Sequence, residues 1–194
     1  MKHIYAGLLF ILMCGCTSPP ASTNYDPLTQ ARIRAYKGGT TYFYPNAMCA
    51  SRNRKDGFAA TDFTVPNHIV GMPIPKNAPY DKSTFDSISE MLGYVPFNEY
   101  IVAANSAITI QTYLILPNSS QISGFQGGSV VTIQNPSYFT CEPFFGTFTP
   151  QAGKDYEVYL ARPNCEFRMR EIVSKNGEVT AVPISYAPSS YCKQ

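Results

Sequence analysis

The stretch Phe148-Thr149-Pro150-Gln151-Ala152-Gly153-Lys154-Asp155-Tyr156-Glu157-Val158-Tyr159-Leu160-Ala161 decides the fold class. Tyr156, Val158 and Leu160 recur with the two-residue period of a strand, so they are expected to face a core while Asp155 and Glu157 point out to water. Phe144 to Thr149 reads as a preceding strand, and the residues between as a turn. The segment is therefore expected to be a hairpin centred near Gln151-Ala152. Cys141 and Cys165 flank it and would meet at its open end.

Working outward, Cys165 to Arg170 repeats the alternation and Val179 to Tyr186 closes the set. Upstream, Phe97 to Ala103 is expected to pair with Ala107 to Leu116 across Ala104-Asn105-Ser106. Pro117 to Ser120 and Gly127-Gly128 read as turns, and Ser129 to Gln134 as a strand. Near the start, Ala31, Ile33 and Ala35 alternate with Arg32 and Arg34, which would face water. Lys37 to Thr40 is a turn before Thr41 to Tyr44, suggesting an opening hairpin. Residues 49–79 read as a long excursion with one short strand near Ile69-Val70. Ser83 to Leu92 carries the helical signal: Ser83 as N-cap, Phe85, Ile88 and Leu92 on one face, and Gly93 as the stop. Eight or nine short strands and one helix predict an all-β antiparallel sandwich, Ig-like or transthyretin-like, with the short helix in a long insertion. The sandwich would be a single domain, residues 27–194.

The first residues carry a different message. Lys2 and His3 precede Ile4 to Met13 (IYAGLLFILM), an apolar run too short for a membrane span, which needs ~20 residues, but suited to a signal peptide. Met13-Cys14-Gly15-Cys16 then looks like a bacterial lipobox, with the small Gly15 before the lipidated Cys16. Bulky Met13 makes Cys14 the poorer acceptor. An ordinary cleaved signal or a buried N-terminal helix is the plainer alternative. On the lipobox reading, 1–15 is the leader and 16–26 a Ser/Thr/Pro-rich tether. Thr17, in place of the Asp that resembles an inner-membrane retention signal, points to the outer membrane, with the domain facing the periplasm. The anchor would be palmitate-type acylation, each buried methylene contributing ~0.8 kcal/mol.

Of six cysteines, Cys14 leaves with the leader and Cys16 carries lipid. Cys49, Cys141, Cys165 and Cys192 remain, an even number in an exported chain, with three possible connectivities. The spacing favours Cys141–Cys165, and Cys49–Cys192 follows by elimination. Without a CxxC motif, and with His68 as the one mature imidazole, no metal site or cofactor is expected.

Ala31-Arg32-Ile33-Arg34-Ala35-Tyr36, Gly71-Met72-Pro73, Asn98-Glu99-Tyr100-Ile101-Val102-Ala103-Ala104 and Phe148 to Val158 between its cysteines together resemble an uncharacterised family of small proteobacterial outer-membrane lipoproteins. That family carries a lipobox, an R-x-R-x-Y strand and an F-x-P-x-x-G-K-D-Y-E-V motif between cysteines. The resemblance covers most of the mature chain and implies fold and location, not an activity. Cys192 and the Ala104-Asn105-Ser106 turn depart from the pattern.

Composition narrows the function. A formal charge of +2 and sequence hydrophobicity of 44% exclude a strongly basic nucleic-acid binder and wholesale disorder. No Gly-x-Ser-x-Gly elbow and no phosphate-cradling Gly loop occur. A Cys49–His68 pair would need a free thiol, and paired acids for glycan hydrolysis would come from Asp81, Asp86, Glu90 and Glu99. Arg52, Arg54 and Lys55 are the candidates for anionic-ligand binding. If their strands neighbour each other, Arg32, Arg34, Arg168 and Arg170 would form an exposed stripe. Tyr42, Phe43, Tyr44, Tyr138, Phe139, Phe144, Phe145 and Phe148 would line either the core or a groove. The expected protein is no enzyme but a lipid-anchored envelope protein meeting an envelope or secretion-system partner. A glycan or cell-wall binding module is the alternative, and an envelope hydrolase a distant third.

Overall fold

The computed structural model describes residues 24–62, 65–79, 95–126, 129–161 and 164–193, with backbone alone for 116–139. Ten strands follow in order: β1 Gln30–Tyr36, β2 Thr40–Pro45, β3 Phe58–Thr61, β4 Phe97–Ala103, β5 Ile108–Gln126, β6 Ser129–Phe148, β7 Asp155–Ala161, β8 Glu166–Lys175, β9 Glu178–Pro183 and β10 Ala187–Pro188. A single 3-10 turn, Arg54–Asp56, is the helical element among the described residues. The expected helix at Ser83 to Leu92 lies outside them.

The strands form two five-stranded sheets, β4-β1-β7-β8-β9 and β10-β6-β5-β2-β3. The facing sides bury Ile33, Phe43, Ile110, Leu114, Val158 and Met169 in one core. This all-β, sandwich-like architecture agrees with the alternation in the sequence. Residues two apart share a face, and each strand spends one face on the core.

The pairing differs from expectation at three corners. β1 and β2 are not a hairpin; they lie in different sheets, as do β4 and β5, and β6 and β7. Alternation shows that a strand has a buried face, but two sheets packed face to face offer the same core to both. What distinguishes a corner is its anchoring. Lys37 N–H donates to Pro96 C=O, Asn105 N–H to Pro150 C=O and Gly153 N–H to Gln30 C=O, so each bend is tied to a neighbouring bend. After the Gly153 bend, β7 inserts between β1 and β8, parallel to β1 and antiparallel to β8.

Other details also change. Pro117 to Ser120 is no turn, because the β5–β6 ladder runs on to Gln126 opposite Ser129. Gly127-Gly128 lies outside the described residues. Ile69-Val70 is not a strand; its backbone serves a buried carboxylate instead. Asn176 and Gly177, both at positive φ (53° and 78°), close the β8–β9 hairpin as a two-residue turn.

Both bridges form. Cys141–Cys165 has Cα atoms 5.4 Å apart and Cys49–Cys192 5.0 Å. The first pairing was expected from a hairpin that does not exist. It joins β6 of one sheet to the entry of β8 in the other, an inter-sheet rivet.

Candidate functional site

The outer face of the β10-β6-β5-β2-β3 sheet carries the candidate cations. Ala59 of β3, Tyr42 of β2, Gln111 of β5 and Phe145 of β6 stand side by side in register. Tyr44, two residues from Tyr42, shares that face. Its hydroxyl donates to Gln111 Oε1 at 2.9 Å, and Gln111 Nε2 donates to the Tyr191 hydroxyl at 3.0 Å. Tyr191 comes from the C-terminal tail. Cys192 clips that tail to Cys49, Ala50 N–H donates to Ser190 C=O, and Cys192 N–H donates to Ala50 C=O.

Between Cys49 and β3 the chain makes the 3-10 turn. Ser51 Oγ bonds the Asp56 carboxylate and accepts from Asn53 N–H, while Asn53 Oδ1 accepts from Lys55 N–H. Gly57 lets the turn lie on β2, since a Cβ there would stand 2.6 Å from Phe43 C=O and 2.7 Å from the Tyr44 ring. Two guanidiniums result with fixed seats. Arg52 lies 5.4 Å over the Tyr191 ring, and Arg54 lies 5.3 Å over Tyr42 and donates to its hydroxyl. Cation–π contact and stacking restrain the fork of an arginine while leaving most of its N–H groups to solvent. Lys55 is exposed beside them. The turn thus brings all three proposed residues to one rim.

The opposite outer face holds what the sequence reading missed. Arg32, Arg34 and Arg170 are not an exposed stripe, and Asp155 and Glu157 do not point to water. β7 lies between β1 and β8, so Glu99, Arg34, Glu157 and Arg170 alternate in sign across β4, β1, β7 and β8. Arg34 and Glu157 are 0% exposed and Glu99 1%. Arg168 alone of the four remains outside, beside Glu166. The covering layer is Val70 to Met72. Their three N–H groups donate to Glu99 Oε2 at 2.8–3.1 Å, a backbone nest that Gly71 makes by adopting φ +81°. Arg34 bonds Glu99 Oε1 at 2.7 Å and Met72 C=O at 3.0 Å, and Arg32 pairs with Asp155 at 2.7 Å. Glu157 contacts Arg170 and accepts from the Tyr36 hydroxyl. Burial pushes the Glu157 carboxyl above its ordinary range, against the pull of Arg170, the Tyr36 hydrogen bond and Arg34. Burial, then the Glu157 charge, pushes the Tyr36 phenol up, so it stays a donor. The signal that could have exposed this network was sign alternation among strands, and it needed the strand order to be read.

The remaining candidates are dispersed. Cys49 is bridged, so no Cys49–His68 thiol pair exists. His68 is exposed in the loop before the nest, stacked on Tyr100 at 5.0 Å. Glu99 is sequestered, while Asp81, Asp86 and Glu90 lie outside the described residues. Phe43, Tyr42, Tyr44 and Phe148 are buried, Phe144 and Phe145 half-buried, and the side chains of Tyr138 and Phe139 are outside the description. A cleft of about 390 Å³ opens at one end of the sandwich between Phe148, Tyr156, Glu171 and Tyr186. Among the described residues no helix is long and apolar enough to cross a membrane.

The fold and the two faces define an all-β sandwich with two disulfides. Comparison with protein-family models, with curated proteins and with solved structures returns no match.

Proposed function

We propose that this is a non-catalytic, lipid-anchored protein of the cell envelope, held at the outer membrane through Cys16 and presenting its sandwich to an envelope or secretion-system partner. The observation that carries the reading is the pair of disulfides. Four cysteines paired in one domain suit an oxidising compartment, and a leader of residues 1–15, cleaved before Cys16, would supply the route there. The non-catalytic part draws support from the engagement of Cys49 and Glu99 in structural roles. Of the two sandwich types expected, the transthyretin-like one is favoured. An immunoglobulin sandwich keeps its first two strands in one sheet, whereas β1 and β2 here lie in different sheets.

Labelling growing cells with radioactive palmitate tests the anchor. The intact protein should take up label and fractionate with the outer membrane. A Cys16→Ala variant should lose the label, and undiminished incorporation would refute the anchor. Crosslinking in intact cells should then capture an envelope partner.

A second reading, binding of a glycan or cell-wall polymer, is favoured by the Arg52 and Arg54 seats on tyrosine rings. Retention of the protein on peptidoglycan or lipopolysaccharide, reversed by salt, is the expected result; no salt-sensitive retention would sink it.

A further inference from the structure

The Arg52/Arg54/Lys55 rim has a definite charge. Arg52, Arg54 and Lys55 bring three positive charges and Asp56 one negative, and the exposed Asp56 carboxylate accepts from the Ser51 hydroxyl. None of the three cations has a carboxylate within ion-pairing distance among the described residues. The surplus of two matches the −1.5 to −2 charge of a phosphomonoester near neutral pH. Arginine forks suit phosphate because they can bind two of its oxygens at once, and stacked forks lose less freedom on binding. A lone carboxylate would leave half the surplus uncompensated.

The seats have separate origins. Tyr42, under Arg54, belongs to β2 in the body of the sheet. Tyr191, under Arg52, is 37% exposed and belongs to a tail held by Cys49–Cys192, the Ala50–Tyr191 bridge and the Gln111 hydrogen bond. Opening the disulfide removes the covalent tie of the tail that seats Arg52 and does not touch the Tyr42 seat of Arg54.

We infer that the rim is a composite receptor for a phosphomonoester carried on an envelope saccharide, with Arg54 on its Tyr42 seat as the fixed half, Arg52 completed by the disulfide-clamped Tyr191, and the exposed Lys55 adding charge. This rests on the glycan-binding reading of the same face and names the group recognised. Tyr191 is a positioning residue that acts through Arg52.

The test uses the intact chain in detergent and calorimetric titration with four probes: N-acetylglucosamine 6-phosphate, unphosphorylated N-acetylglucosamine, N-acetylmuramic acid and inorganic phosphate. The sugar phosphate should bind, and high salt should weaken it. The neutral sugar and the carboxylate sugar should bind at least tenfold more weakly. Arg54→Ala should reduce affinity about tenfold or more, the scale of a lost charged hydrogen bond. Arg52→Lys keeps the charge and loses the fork, so it should also weaken binding, and Tyr191→Ala should mimic it. Tyr191→Phe, which retains the ring, should restore affinity. Cys192→Ser should resemble Tyr191→Ala, and the ring variants keep the test valid if that variant misfolds. Inorganic phosphate binding as tightly as the sugar phosphate would overturn the saccharide assignment. Equal binding of N-acetylmuramic acid would overturn the phosphate assignment. Retention on cell-wall polymer without sugar-phosphate binding would sink this inference and spare the broader reading. Failure of both would remove the face as a ligand site.

Discussion

Glu157 is the residue on which the covered face balances. It sits without solvent between Arg34 and Arg170, and among the described residues Arg34 Nη1 and Arg170 Nε find no hydrogen-bond acceptor. Burial of an ion pair costs solvation on both sides, and here burial outweighs the cations in setting the proton affinity of Glu157. A carboxyl whose pKa is raised by folding contributes stability fully below its unfolded pKa and loses it as pH rises through the folded value. Gln at this position is an uncharged match for the protonated form. Urea unfolding should therefore find Glu157→Gln and the parent equally stable near pH 4. As pH rises to 7, the parent should fall progressively behind. A variant that instead grows less stable than the parent with rising pH would mean that Arg34 and Arg170 outweigh burial. None of this was readable from the alternation of Asp155 and Glu157 with Tyr156 and Val158. Period two separates the faces of a strand but does not say what lies against the second face. Part of that cover is Val70 to Met72, residues far away in sequence, whose backbone N–H groups donate to Glu99 on the same face and whose Val70 and Met72 side chains pack with Ile172 and Ala181.

At the scale of elements, strands were legible and their partners were not. β1, β4, β7 and β8 were readable to within a few residues because Ile33, Val102, Val158 and Met169 repeat at the strand period and are all buried. The corners were misread because a short polar link between two strands serves a hairpin and an inter-sheet crossing equally well. The Cys141–Cys165 pair nevertheless came out, since an inter-sheet bend also returns the chain to within disulfide reach. The distinction has an energetic consequence. The bridge closes a sequence separation of 24 and holds two sheets together rather than the legs of one hairpin. Loop-closure entropy alone assigns it about 3 kcal/mol. Replacing both cysteines by serine should lower unfolding free energy by about that amount in chemical denaturation. Near-UV signals from the packed Phe144, Phe167 and Tyr186 rings beside the bridge should broaden or weaken as well. A loss below about 0.5 kcal/mol, with unchanged aromatic signals, would show that the sheets hold each other without the rivet.

For the whole molecule the two bridges are large terms in the stability of the fold. Cys49–Cys192 spans a sequence separation of 143, for which the same entropy argument gives about 5 kcal/mol. Together with the inter-sheet bridge this is comparable with the roughly 5–15 kcal/mol by which native domains are stable. The near-neutral charge adds no strong self-repulsion, and no α-helix among the described residues packs against the sandwich to replace the covalent ties. Folding should consequently depend on an oxidising compartment. Without residues 1–15, and with Cys16→Ser to remove the proposed lipid acceptor, the chain should accumulate poorly in a reducing cytosol, be protease-sensitive and show free thiols. Sent to an oxidising periplasm on a cleavable, non-lipoprotein signal, the same sequence should become protease-resistant with all four cysteines blocked to alkylation. Equal protease resistance in both compartments, with the cytosolic thiols still reactive, would show that the sheets alone suffice and would remove the main physical support for the proposed export of this chain.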